Sequence, residues 1–343
     1  MFSIGFKPTT MNRFLFALAS FVVITMLSCS EGDRNNDEVQ VPNFDFPMTV
    51  LFADSLAAYG IFEGDPSQMI PSEQFQLLEL SSVLYTDFAH KQRLISVPSG
   101  TSMTRLEDGS IEFPDGTILT KTFFYYHDER DTSQGQRLVE TRLLIKEAGL
   151  WNAATYVWDD TQTGARLMTA GSETKVSWID DSGLTMTIQY LIPSGNECIA
   201  CHQSDDRLIP LGTTLRNLNR PVIRSGISQN QISHLQSVGI LNDFGLSLVP
   251  QIVDYNDSSQ SLADRARAYL HLNCAHCHNP SAWEEPSDED FDFRYESTLT
   301  QTGIINERNE VTEVLLEGEM PFLGTTIIDQ EGVDLVVRFI DSL

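Results

Sequence analysis

The sequence predicts an α+β protein in which an antiparallel, β-rich and sandwich-like domain precedes a small α-helical one. Three observations carry that prediction. Between about residues 85 and 195, short runs of β-branched and aromatic residues alternate with turn signals. From about residue 255 onward, apolar residues recur at helical spacing. Two Cys-x-x-Cys-His pentads, Cys198–His202 and Cys274–His278, punctuate these textures, one after the last strand and one inside the helical part.

In chain order, residues 1–28 read as a signal peptide. Lys7 and Arg13 precede the run Phe14 to Leu27, which is interrupted only by Ser20 and Thr25. The run is shorter than the roughly 20 apolar residues a membrane span needs. It ends in Leu27-Ser28-Cys29, which resembles a bacterial lipoprotein signal in which the Cys is acylated and becomes the new N-terminus. Cys29 is therefore the expected lipid attachment site, although Met26 stands where such signals more often carry Leu. The alternative is an ordinary cleaved signal with a spare Cys. The expected location is the periplasm or the cell surface, anchored to the outer membrane because Ser30 rather than Asp follows the Cys.

Residues 29–48 read as a flexible acidic tether, on the polar, charged and aperiodic stretch Ser30 to Glu38. The remaining length suits two domains. The balance of 48 Asp+Glu against 22 Lys+Arg excludes nucleic acid as a partner, because phosphate contacts need clustered cations. The same acidity either steers basic partners or serves only as a solvated surface.

Residues 49–197 form the expected β-rich domain. Thr117 to Tyr126 follows the turn Asp115-Gly116, and Leu138 to Ile145 and Thr155 to Trp158 have strand composition. Lys175 to Ile179 and Leu184 to Ile192 flank Asp180-Asp181-Ser182-Gly183, a hairpin turn. Trp151, Trp158 and Trp178 are expected in its core. Residues 198–254 hold the first pentad and a connector that contains a helical fragment, Gln229 to Val238. In residues 255–343, Ser261 with Asp264 is a capping-box-like start to a helix that leads into Cys274. Asp329 would cap a last helix carrying Val333, Val336, Val337 and Ile340.

The pentads carry the chemistry. Two thiols three positions apart reach the two vinyl groups of one porphyrin, and the adjacent His falls beneath the iron as proximal ligand. This assigns Cys198, Cys201, Cys274 and Cys277 to thioether bonds and His202 and His278 to two irons, giving two covalently bound haem c groups. A four-thiolate zinc site would explain the four Cys but not the two trailing His. A thioredoxin-like motif usually lacks that His. Cysteine arithmetic agrees, with two for each haem and Cys29 for lipid.

The chain resembles a family of exported bacterial diheme c-type cytochromes that join a β-rich N-terminal region to a cytochrome c domain. The resemblance runs from about residue 50 to the C-terminus. It rests on Tyr85 to Lys91 with Arg93, Phe113 to Thr117 with Lys121 to Phe123, and Glu140 to Leu144. It continues through Trp151 with Tyr156 and Trp158, and Ile192-Pro193-Ser194 before the first pentad. Leu211-Gly212, Leu218 to Arg220, Ala268 to Leu270 with Asn273, and Met320-Pro321 complete it. It implies electron transfer with redox partner proteins in the cell envelope. A peroxidase-like diheme enzyme with one open iron, and an envelope binding module with accessory haems, are the alternatives.

Sixth ligands separate these readings. Met320 is the expected sixth ligand of the second haem, held in a loop because Pro321 biases it toward extended backbone. For the first haem the candidates are His90, His127, His234, His276 and Met186, with His90 the first to test.

Overall fold

The computed structural model describes residues 46–204, 207–282, 291–321 and 323–343. The signal peptide, most of the tether, and Cys29 lie outside the described residues. Among those described, no helix is long and apolar enough to cross a membrane.

Strands β1 (Gln76–Leu78) and β2 (His90–Ser96) are followed by a two-residue pair, β3 (Thr104–Arg105) and β4 (Ile111–Glu112). Then come β5 (Ile118–Tyr126), β6 (Gln136–Glu147), β7 (Leu150–Trp158) and β8 (Ala165–Met168). These build one antiparallel sheet in the order β1-β2-β5-β6-β7-β8. Its neighbours are mostly consecutive in sequence, as short turns dictate. Strands β9 (Ser172–Ile179) and β10 (Thr185–Ile192) form a separate hairpin around the expected turn, where Asp180 Oδ1 accepts from the Leu184 amide at 2.8 Å.

The sheet buries both faces against different layers. On one, Leu94, Phe124, Leu143 and Tyr156 pack against the N-terminal segment through Phe52, Leu56 and Ile61. On the other, Phe123 and Tyr125 meet Val176, Trp178 and Tyr190 of the hairpin. The second layer on that face is thus only a hairpin, and the space beyond it is where the pentads lie. Trp158 and Trp178 are buried and Trp151 is half-buried against Phe113, so all three belong to packing as expected.

Helix α1 (Gly195–His202) carries the first pentad. Beyond it lie the short strands β11 (Gln203–Ser204) and β12 (Arg207–Leu208), helix α2 (Leu215–Leu218), the hairpin β13 (Pro221–Arg224) and β14 (Ile227–Asn230), and α3 (Gln231–Ser237). The helical part comprises α4 (Leu262–Asn273), α5 (Arg308–Glu317) and α6 (Gln330–Asp341). The caps read from sequence are present: Ser261 Oγ accepts from the Asp264 amide at 3.1 Å, and Asp329 Oδ1 from the Gly332 amide at 3.1 Å.

Helices α4 and α6 cross so closely that a Cβ at Gly332 would stand 2.2 Å from the Tyr269 ring. Only glycine admits that approach. Helix α5 was not expected, because it offers only Val311 and Leu315 as buried anchors on an otherwise polar surface. The β-rich and helical parts were expected as separate domains, yet their described residues fall within one compact unit. Three polar ties explain this. Asn273 Oδ1 accepts from the Tyr85 amide at 2.7 Å, Tyr255 donates to the Val83 carbonyl, and Ser82 donates to the Val253 carbonyl.

Candidate functional site

One cavity of about 710 Å³ brings the two pentads together. It lies within the size range of ligand sites. All six pentad Cys and His residues read as haem-binding border it, although more than 70 residues of chain separate the two motifs.

The first pentad is delivered by α1. Pro193 ends β10, and Ser194 then caps the helix in a reciprocal box with Glu197. Within the helix, Cys198 and Cys201 stand three positions apart and so share a face. Cys198 Sγ lies 3.9 Å from Thr155 Oγ1 of β7, which docks the helix onto the sheet. His202 Nδ1 lies 2.9 Å from the Ile209 carbonyl oxygen. A carbonyl only accepts, so Nδ1 carries the proton and Nε2 keeps its lone pair. Burial pushes the His202 imidazole down to about 4, which keeps it neutral near pH 7. A neutral ring, oriented by its other nitrogen, is what an iron ligand requires.

The second pentad begins where α4 ends. Cys274 is the C-cap residue, and the segment turns back so that the His278 amide donates to the Cys274 carbonyl at 2.9 Å. The His278 ring packs against Phe293 and Phe291, and burial likewise lowers it to about 4. Its Nδ1 is buried without a partner.

Among the described residues no cysteine forms a disulfide, and the four pentad thiols are half-buried. Burial pushes the Cys274 thiol up to about 12 and raises Cys198 as well. Cys201 moves the other way, held down by hydrogen bonds from Cys277 first and His276 next. The candidate ligand atoms of Cys201, His276 and Cys277 lie within 4.8 Å of one another.

Met320 borders the cavity from the loop before α6; its peptide bond to Pro321 is cis. Asp87 pins this loop to the sheet. Its buried carboxylate accepts from the Thr326 amide at 2.9 Å, the Thr326 hydroxyl at 2.8 Å and the Ile327 amide at 3.1 Å.

The other ligand candidates separate clearly. His90, the first choice from sequence, does not border the cavity; its Nε2 lies 2.9 Å from Glu129, and Phe124 and Tyr126 flank the ring. His127 is exposed beside Gly135, His234 contacts Gln229, and Met186 packs on the hairpin core, all outside the cavity lining. The physical reason is that β2 and β5 present His90 and His127 near their far ends, away from α1. His276 and His271 do border the cavity. His271 Nδ1 accepts from the Tyr295 amide at 3.2 Å, so its Nε2 holds the proton in the neutral ring. That leaves His276 as the histidine with an accessible ligand position.

Sequence reasoning assigned no role to Arg93, Lys121 and Arg142, which also border the cavity. The available signal was cations at alternate positions of strands whose faces are both buried, as in Lys91/Arg93.

No family model matches this chain, no curated protein matches it in sequence, and no solved structure matches its fold.

Proposed function

We propose that the protein is a diheme c-type cytochrome that carries electrons in the bacterial cell envelope. One observation carries the reading: six residues from two distant Cys-x-x-Cys-His motifs converge on one cavity, and none of their thiols is tied up in a disulfide. The residues fit the cofactor. His202 offers a neutral Nε2, and Nδ1 of His278 is buried without a partner, so no protein group competes for it. When bound, haem supplies one-electron exchange, and the protein sets its potential through ligands, burial and charge. Cys198, Cys201, Cys274 and Cys277 would hold the two macrocycles, with His202 and His278 as proximal ligands. In this reading α4, the second pentad, the Met320 loop and α6 make up the cytochrome c part.

A thioether favours reduced iron, so Met320 would raise the potential of the second haem. His276 is the sixth-ligand candidate for the first. If Met320 and His276 both served as ligands, the two filled positions would favour a carrier over a peroxidase-like enzyme.

The Cys201, His276 and Cys277 cluster supports a second reading, a metal site with three protein ligands and an open position. An absorption spectrum of the purified protein, oxidised and reduced, with and without carbon monoxide, decides between them. The haem reading expects a reduced c-type spectrum insensitive to carbon monoxide. Met320→Ala should then open one iron to carbon monoxide and lower the potential of that haem alone. A colourless protein with bound zinc would support the second reading and reject the first.

The anchor is a separate proposal. Wild type should partition with membranes and carry lipid on Cys29, whereas Cys29→Ala should be soluble or unprocessed. Equal solubility of the two would point to ordinary signal cleavage.

A further inference from the structure

Arg93, Lys121 and Arg142 stand directly opposite one another on three neighbouring strands, Arg93 paired with Lys121 and Lys121 with Arg142. The next position in the same row is Thr155, whose hydroxyl meets Cys198. Adjacent strands are about 4.8 Å apart, so the row sets three cations over about 10 Å and points them at the first pentad. Like charges placed directly opposite are destabilising.

Only part of that cost is offset within the protein. Arg142 makes a bidentate pair with Glu140, at 2.9 and 2.5 Å, and Glu140 also accepts from Tyr190 at 2.7 Å. Among the described residues, the heads of Arg93 and Lys121 have no hydrogen bond or ion pair; the Lys121 ammonium lies 4.8 Å from the Phe123 ring centre. Burial, with the neighbouring cations adding to it, holds Lys121 well below the ordinary range, and burial lowers Arg93 to about 10. The Tyr85 hydroxyl, a further buried donor without a partner, borders the same cavity. Two cationic heads without a counter-charge on the row, and an unpartnered buried hydroxyl bordering the same cavity, describe a site that lacks its anion.

We propose that Arg93, Lys121 and Arg142 form a carboxylate-binding row on the cavity wall, with Tyr85 as an additional donor. The carboxylate is either a propionate of the haem at the first pentad, which rests on the cytochrome reading, or a free carboxylate that enters beside it. In the first case the β-sheet supplies the charge compensation for a haem attached to α1. In the second the row is a ligand site independent of haem.

The test uses the full-length protein, with Lys121→Gln and Arg93→Gln as variants and Lys121→Met as a second form should either misfold. Haem content, thermal unfolding and the midpoint potential of each haem are measured between pH 5 and 8, with and without succinate. Single-pentad Cys→Ser variants assign each potential. A propionate on the row predicts that Lys121→Gln keeps both haems but lowers the first haem's potential. The expected shift is at least a tenfold change in its ferrous-to-ferric ratio, about 59 mV for one electron. The loss of the cation should also give that potential a new pH dependence, while succinate leaves wild type unchanged. A free carboxylate predicts instead that succinate saturably stabilises wild type and shifts its potential, and that Lys121→Gln abolishes both responses. Stabilisation by succinate in a protein found to hold no haem would keep the row and discard the cytochrome reading. Folded variants that retain haem and match wild type in potential, pH dependence and succinate response would overturn the row.

Discussion

Acid–acetone extraction of the purified protein is expected to leave two haems on the chain. Replacing Cys198 and Cys201 with Ser should remove one of them, and replacing Cys274 and Cys277 the other. The expectation is large because thioether bonds are covalent: each pair of substitutions should halve the pyridine haemochromogen absorbance per protein. The shared cavity adds a second consequence. Each pentad forms part of the wall around the other, so losing one haem should disturb the spectrum of the haem that remains. Two independent haem sites would leave it unchanged. Loss of all haem from either pair of substitutions would mean that attachment at one pentad requires the other.

The largest stability effect is expected at Glu140. Its carboxylate is fully buried and is the sole counter-charge of Arg142 among the described residues. Glu140→Ala would leave a half-buried guanidinium without its counter-charge beside Lys121 and Arg93, and it would also strip the acceptor from the Tyr190 hydroxyl. Removing one partner of a buried pair costs about 3–5 kcal/mol. Equilibrium unfolding in urea checks this. Adding Arg142→Met to Glu140→Ala should recover much of the loss, because the stranded charge goes with it. Glu296→Ala is the contrast: Glu296 is 62 % exposed in its pair with Arg216, and such pairs contribute less than about 1 kcal/mol. Equal losses at Glu140 and Glu296 would show that the buried pair is not what holds α1's side of the sheet.

Much of the local structure was legible in the sequence. Strands β5, β6, β7, β9 and β10 announce themselves by composition and turns, β8 does not, and Ser261 and Asp329 announce α4 and α6 by capping. Helix α5 and the β13–β14 hairpin were not legible, because their apolar positions are few and their order comes from packing. The ligand candidates show the same division. Five residues with the right chemistry could be named for the first haem, but only topology removes four of them. His90 is paired with Glu129 of the segment after β5, while His276 is carried to Cys201 by the turn after α4.

The sequence by itself determined the covalent chemistry open to this protein. A thiol, two spacer residues, a thiol and a His form a local pattern, and its reach is set by bond lengths along five residues. Tertiary structure alone decided that the two patterns share one cavity, that Met320 borders it, and that three cations line its wall. Those relations join residues far apart in sequence through strand register and helix crossing. Register in particular rests on the whole buried face of the sheet, since a one-residue slip would turn Arg93, Lys121 and Arg142 away from the cavity.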